Sequence, residues 1–497
     1  MTADTPAWVR DAVFYQIFPD RFAASDRVRK PGPMEPWDTP PTTHGFKGGD
    51  LVGIAERLPY LADLGVTALY LTPIFSSASN HRYHTYDYFT VDPLLGGNDG
   101  LRTLLDAIHE RGMRLLLDGV FNHTGRGFWP FHHVLETGID SPYRSWFHVD
   151  EGFLAAGHRL HAYPPTEGRQ TGLGYEAWWD LPALPKLNTD DPDVREYLFS
   201  VAEHWLRFGI DGWRLDVPAE IDDEAFWQEF RQRCRAIRPD AYLVGEIWHL
   251  APDWLRGDRF DALMNYPLAE AIMAFAGGPS LDMDVVRSHH EYGLRMGPLD
   301  GAGFADRLQA TLDAYDPAIV DSQLNLLSSH DAPRMRTVMG DDDAAVRLAT
   351  ILQMTLPGAP SIYYGDEIGM AGGNDPACRG AFRWDRATWD EPLLAFVRQL
   401  IRLRAAEPAL RHGTTRIAVT AGDAVAIERR IDGRTIVVAV NAGPTDAILR
   451  FRVPGAHAGG LEDLIATDGG AVEAGSDGTV TVGVGPRSAR ILGRTGD

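Results

Sequence analysis

The sequence predicts an α/β protein: a TIM-type (β/α)8 barrel with a loop-rich domain inserted after the third strand and an antiparallel β-sandwich at the C-terminal side. Three observations predict it. Eight short apolar runs punctuate the chain up to Asp366, separated by long amphipathic stretches, which is how strands alternating with helices read. Eight is the number a closed parallel barrel requires. Four of the runs end near an acidic residue, and the C-terminal ends of parallel barrel strands share one mouth. Past residue 407 the pattern changes to β-branched runs separated by Gly, Asp and Pro turns, as in an antiparallel sandwich.

In chain order the runs are AVFYQIF (12–18), ALYLTPIF (68–75), RLLLDGVF (114–121), GWRLDV (212–217), AYLVGEI (241–247), FDALMNY (260–266), LNLLSSH (324–330) and PSIYYGD (360–366). Helical patterns such as IAERLPYLADLG and GLRTLLDAIHERG lie between them, each stopped by a glycine. Residues 124–188 are rich in Gly, Pro, His, Trp and Tyr and lack helical period; a connection so long is a functional loop or a small domain of its own, here read as a lid. The expected division is a barrel over 1–123 and 189–406, the insertion over 124–188, and a sandwich over 407–497. RIAVT, AVAIERRI, RTIVVAVN, ILRFRVP and GTVTVGV supply its strands.

The net charge of −22 argues against nucleic acid or an anionic membrane as partner, since both need clustered Lys and Arg. A neutral substrate fits better. Cys234 and Cys378 lack metal-ligand spacing and read as buried free thiols. No basic start with an apolar core opens the chain, and no run reaches the ~18 apolar residues of a membrane helix. A cytoplasmic enzyme is expected.

The acids are Asp118 in DGVFNH, Asp216 in DGWRLDV, Glu246 in YLVGEIW and Asp331 in LLSSHDAPR. Hydrolysing a glycosidic bond with retention takes a carboxylate nucleophile and a carboxylic acid about 5–5.5 Å apart. Asp216, short and at a strand end, suits the nucleophile. Arg214, two residues earlier on the same strand face, favours its ionised form. Glu246 follows an apolar run and precedes Ile247 and Trp248, a setting that raises a carboxyl pKa and suits a general acid. Taken singly, each residue has a duller role: Asp118 as a turn or helix cap, Asp216 with Arg214 as a structural ion pair, and Trp178, Trp179, Trp248 and Trp384 as core. Four acids at four strand ends favour catalysis.

Together with YQIFPDRF (15–22), NHRYHTYDYFTVDPLLGG (80–97), LPKLN (184–188) and YYGDEIGMAGGNDPACRGAFRWD (363–385), these segments resemble the α-amylase family of glycoside hydrolases. They look most like the neopullulanase, cyclomaltodextrinase and maltogenic amylase group. The resemblance implies Asp216 as nucleophile, Glu246 as acid, and Asp331 with His330 on the hydroxyls of the reacting sugar. It further implies His123 on its 6-hydroxyl, Tyr83 stacked beneath it, Asp118 orienting the arginine, and Asp375 with Arg379 against the next sugar. The implied activity is hydrolysis of α-1,4 bonds in malto-oligosaccharides, cyclodextrins or pullulan, with transglycosylation. An α-glucosyltransferase, an α-glucosidase or a sucrose/trehalose-type isomerase on the same double-displacement machinery stays open, and a noncatalytic sugar-binding relative is disfavoured because the acids are present.

Departures from the family pattern are visible too, among them Ala219 beside Glu220, where an Asn is common, so that acceptor binding is expected to differ. The N-terminal β domain usual in this group is missing before YQIFPDRF, so a monomer or weak homo-oligomer is expected. Related enzymes bind calcium through residues after PDRF and a later GGD, but Ala24 here removes one oxygen ligand and leaves Asp26, Gly48 and Asp50. Calcium takes 6–8 oxygens, so a weakened or absent site is expected and no cofactor is required.

Overall fold

The computed structural model describes residues 4–453, 460–465 and 472–494. Its strands begin with β1 (Phe14–Ile17), β2 (Ala68–Leu71), a hairpin of β3 (Phe75–Ser77) and β4 (Thr85–Val91), β5 (Arg114–Gly119), β6 (Gly212–Leu215), β7 (Tyr242–Gly245), β8 (Ala262–Leu263), β9 (Leu324–Leu326) and β10 (Ala359–Tyr363). All but the hairpin pair in parallel, in the order β8-β7-β6-β5-β2-β1-β10-β9. A parallel bridge from Met264 to Leu324 joins the ends of this sheet into a barrel.

Each of the eight predicted runs marks one barrel strand, each strand is shorter than its run, and only β10 begins outside it, at Ala359. FDALMNY keeps only Ala262–Leu263 extended, because the Asn265 side chain accepts from Leu268 N and caps the helix Tyr266–Gly277. GWRLDV stops at Leu215, which leaves Asp216 just beyond the strand. The hairpin β3–β4 was not expected: β3 has only three residues, and β4, though seven long, mixes buried and half-buried positions without strict alternation.

Side chains alternate along the barrel strands with the period of two that extended backbone imposes. Phe14, Ala68, Leu116, Tyr242, Leu324 and Ala359 fill the barrel interior. Tyr15, Leu69, Leu115, Leu117, Trp213 and Leu243 pack outward in the layer that also holds Leu58, Leu61 and Leu104 of the surrounding helices. Both faces are therefore dry, which is why the runs read as continuous apolar stretches. One step closer to the C-terminal ends the alternation places polar groups: Gln16 in register with Tyr70, and Asp118 in register with Arg214. This buried polar layer is the floor of the barrel mouth.

The helix Leu51–Leu64 starts at Asp50, whose carboxylate accepts from Gly53 N, and stops at Gly65 with φ 99°, a left-handed cap that suits glycine. The helix Gly97–His109 ends before the glycine expected to stop it, Gly112. The insertion holds a helix, Trp129–Thr137, that its aromatic-rich sequence does not announce; Phe131 and Val134 bury one short face. A bridge from His123 to Lys186 ties its two ends together, and one from Phe147 to Leu187 ties its middle to the second end.

Beyond the barrel lie β11 (Thr414–Ala421), β12 (Ala424–Ile431), β13 (Arg434–Asn441), β14 (Ala447–Arg452), β15 (Leu461–Asp463), β16 (Thr479–Val484) and β17 (Ser488–Arg494). They form a sheet in the order β11-β12-β13-β17-β15 and a β14-β16 pair, all antiparallel, packed over Val437, Ala439, Leu449, Phe451, Val482 and Leu492. The runs missed β15 and β17, which are short of apolar residues. Pro454 of ILRFRVP and the extreme ends of the chain lie outside the described residues. Among the described residues no helix is long and apolar enough to cross a membrane.

Candidate active site

The polar floor opens into a cavity of about 640 Å³ at the C-terminal ends of the strands, with Tyr83, His123, Asp216, Glu246, Trp248, Asp331, Asp375 and Arg379 on its walls. Asp118, Arg214 and His330 lie directly beneath. All eleven site residues expected from the sequence therefore meet in one place.

Arg214 is fully buried at the centre. Its Nη1 lies 2.8 and 3.0 Å from the two oxygens of Asp118 and 3.0 Å from Asp216 Oδ1. Nη2 sits 2.9 Å from Glu246 Oε1, within Coulombic range but off the hydrogen-bond direction. Asp118 also accepts from Tyr70 Oη (2.6 Å) and Tyr83 Oη (2.9 Å), so its lone pairs are committed to fixing neighbours. Asp216 and Glu246 face the cavity from opposite ends of the guanidinium. Val217, next to Asp216, is held at φ 36°, a strained conformation for a β-branched residue, and its N–H donates to Glu246 Oε2 at 3.2 Å. Trp248 Nε1 donates to Glu246 Oε1 at 3.2 Å while its ring lies flat on Tyr266, 3.5 Å away.

Burial pushes the Asp216 carboxyl well above the usual range; Arg214 opposes this, and the negative charges of Glu246, Asp118 and Asp331 add to it. Glu246 is also raised, first by burial and again against the pull of Arg214. Arg214 therefore does not by itself keep Asp216 ionised, as its place two residues away on the strand suggests, because burial outweighs it. Two crowded carboxyls of this kind titrate as a pair. A proton on Glu246 removes its repulsion on Asp216, which can then ionise beside Arg214.

Asp331 behaves in the opposite way. Burial works against its ionisation, but His330 and Arg379 outweigh that and hold it well below the usual range. His330 Nε2 is 2.9 Å from Asp331 Oδ2, and Arg379 Nη2 is 3.2 Å from Oδ1. Gln16 Nε2 donates to His330 Nδ1 at 2.8 Å, which leaves the proton on Nε2, 2.5 Å from Tyr83 Oη. Tyr83 and His330 stack in parallel, 5.4 Å apart. His123 accepts from Asn122 Nδ2 at Nδ1, and its buried Nε2 has no hydrogen-bond partner among the described residues. Burial lowers the His123 pKa to about 3, so the ring is neutral in the working range. Asp375 pairs with Arg379 at 3.1 Å, and Arg379 Nε also donates to the His330 carbonyl at 2.7 Å.

Gln16, Tyr70 and Val217 escaped the sequence reading, as did His289, whose Nε2 is 2.9 Å from the Asp331 carbonyl. Only strand register, which puts Gln16 and Tyr70 one inward step beyond apolar neighbours, could have found the first two. Trp178, Trp179 and Trp248 line the cavity, whereas Trp384 belongs to an aromatic cluster with Phe22, Tyr60 and Phe382 away from it.

The calcium candidates do not converge on an open cation site. Asp50 Oδ1 accepts from Gly53 N at 2.7 Å, and Oδ2 accepts from Ser25 N and from Lys30 Nζ, each at 3.0 Å. Gly48 donates its N–H to Asp20, and Asp26 is exposed. The Lys30 ammonium, also bound to the Leu94 carbonyl at 2.6 Å, occupies the acceptors a metal would need. Among the described residues no group of three or more His, Cys, Asp or Glu side chains could hold a metal ion.

The sequence profile of the alpha amylase catalytic domain matches residues 16–389. The chain is 45% identical over 441 residues to a cyclomaltodextrinase of Geobacillus thermopakistaniensis (strain MAS1), covering 88% of this chain and 69% of that one. It is 40% identical over 493 residues to neopullulanase 2 of Thermoactinomyces vulgaris, covering 98% and 78%. Among solved structures it is similar to the native form of the Nostoc punctiforme debranching enzyme, with a TM-score of 0.89, 45% identity, and coverage of 99% of this chain and 100% of that one. A profile that spans the barrel, and relatives matched at this level over most of both chains, establish that the chain belongs to the α-amylase family of glycoside hydrolases.

Proposed function

We propose that this enzyme hydrolyses α-1,4 bonds of short malto-oligosaccharides, cyclodextrins or pullulan with retention of configuration. The observation that carries the reading is Arg214 held against both Asp216 and Glu246 at the cavity floor, which sets two carboxyls of opposite roles on one guanidinium. In the first step Asp216 attacks the anomeric carbon while Glu246 passes its proton to the leaving oxygen. In the second, Glu246 takes a proton from water, whose oxygen displaces Asp216. Ionised Asp331 accepts from hydroxyls of the reacting ring, neutral His123 offers its free Nε2, and Tyr83 lies beneath. The substrates of the named relatives support the choice of α-glucans. Incubating the enzyme with maltotriose, pullulan and β-cyclodextrin, and following the anomeric signals of fresh products by NMR, tests it. Net inversion, or no cleavage of any of the three, would refute it.

The pair Asp375 and Arg379 is proposed to grip the sugar beyond the reacting one, favouring small products such as maltose and panose. Because Arg379 also holds Asp331 and the His330 carbonyl, Asp375 is the cleaner probe. Asp375→Ala should raise KM for maltotriose about tenfold, or ~1.4 kcal/mol, with kcat nearly unchanged. An unchanged KM would leave only a rim ion pair there.

Calcium has no proposed role in this chain. Exhaustive chelation should leave activity and Tm unchanged, whereas Lys30→Met should cost about 1.5–3 kcal/mol by stranding Asp50. A Tm that falls on chelation and returns only with calcium would overturn this. Cytoplasmic residence is proposed too, and the two buried free cysteines accord with a reducing compartment.

A further inference from the structure

The rim of the cavity carries a contact that none of the catalytic steps uses. His123, Trp178 and Trp179 form a column of near-parallel rings, with centroids 5.1 and 4.8 Å apart and interplanar angles of 14° and 11°. The column climbs from the buried His123 to Trp179, which is 45% exposed. At its top Trp179 meets His290 edge-on, at 5.4 Å and 84°. Trp179 belongs to the insertion after β5, and His290 to the segment that follows the helix Tyr266–Gly277, so the contact joins two loops whose side chains line the cavity above Asp216 and Glu246.

The backbone is bent to make this contact. Trp179 has φ 54° and ψ 26°, and Asp180 follows at φ 57°, two successive left-handed residues of which neither is glycine. Such strain persists only where surrounding structure enforces it, and it clusters at sites of function. Here Gln170 N donates to the Asp180 carbonyl at 2.8 Å and Trp178 N to the Leu184 carbonyl at 2.9 Å, pinning the turn on both sides. Arg169 engages the Trp179 ring at 5.1 Å. With Trp178, Arg169 and His290 all against it, the indole is better placed as a wall than as a free stacking platform for sugar.

We propose that the Trp179–His290 contact is a barrier across the cleft that selects substrates by length. A chain end or a small oligosaccharide reaches Asp216 without crossing it, whereas a long glucan lying through the cleft must push the two rings apart. This deepens the proposed function and rests on it, by naming the residues that discriminate short from polymeric α-glucans.

Two variants test the barrier from its two sides. Trp179→Gly removes the ring and suits the left-handed backbone, so the turn is not strained by the change. His290→Ala opens the contact without touching the turn. The quantity to measure is kcat/KM for long amylose divided by that for maltotriose, which should rise about tenfold in either variant. A ratio within about twofold of wild type in both variants, with Tm unchanged, would overturn the barrier, and so would a fall in the ratio. The same ratio, taken from binding constants in an Asp216→Asn background, reads the barrier without turnover. Failure of the wild type to cleave maltotriose, pullulan and β-cyclodextrin alike would refute the proposed activity and leave the binding ratio to decide the barrier.

Discussion

Asp216→Asn should lower kcat by at least about a thousandfold, ~4 kcal/mol of transition-state stabilisation, while Tm stays level or rises. The amide keeps the volume of the carboxylate and can still accept from Arg214 through its oxygen, but it cannot form the glycosyl ester. Fold stability does not depend on the lost charge. Burial raises the Asp216 carboxyl far above the ~3.9 of an unfolded aspartate. A group whose folded pKa is raised contributes stability that is present below its unfolded pKa and lost as pH rises through its folded one. At neutral pH the wild type has surrendered part of that contribution, whereas Asn, which does not titrate, surrenders none. Activity and thermal unfolding measured between pH 5 and 8 check both halves. Near wild-type turnover in the variant would make another carboxylate the nucleophile.

Arg214→Met should give the largest loss of stability, about 3–5 kcal/mol at neutral pH, because it strands three buried carboxylates that now share one guanidinium. Methionine fills a similar space, so little of the effect is cavity. The sign with pH is definite. Without the cation the raised pKa values of Asp216 and Glu246 climb further, so the penalty grows as pH rises and is partly recovered on acidification, when these two acids bind protons. Urea midpoints at pH 5 and pH 7.5 measure it. Equal losses at both pH values would mean that packing, and not charge, accounts for the effect.

The barrel strands were legible because both of their faces are dry, so each left a continuous apolar mark in the chain. The acids were legible for the complementary reason: a charge closing such a mark has no ordinary place to go. Their short strands were not, since Asn265 ends β8 by a capping bond that composition does not reveal. Gln16 and Tyr70 stayed hidden because their role depends on which strand neighbours which, and nothing within either segment states that. Lys30 lies in an exposed-looking Arg-, Lys- and Pro-bearing stretch, and only folding brings it to Asp50. The ring column failed to stand out because Trp178 and Trp179 sit in a segment without period, where tryptophan reads equally as core. β17 was missed because Ser488, Arg490 and Arg494 dilute its apolar residues Ala489, Ile491 and Leu492.

The bond from Gln16 to His330 spans 314 residues of sequence, and β1 finds its second neighbour only in β10. During synthesis at about 5–20 residues per second, the first strand therefore waits roughly fifteen seconds to a minute for the histidine it supports. Throughout that interval one edge of β1 has no native partner to pair with, a template for other chains that a parallel sheet is slow to cover. No N-terminal fragment released from the ribosome before β10 can close the barrel or complete the floor beneath the sugar. Catalytic competence thus arrives only once β10 has been made, and products truncated before it should be silent and in need of chaperones.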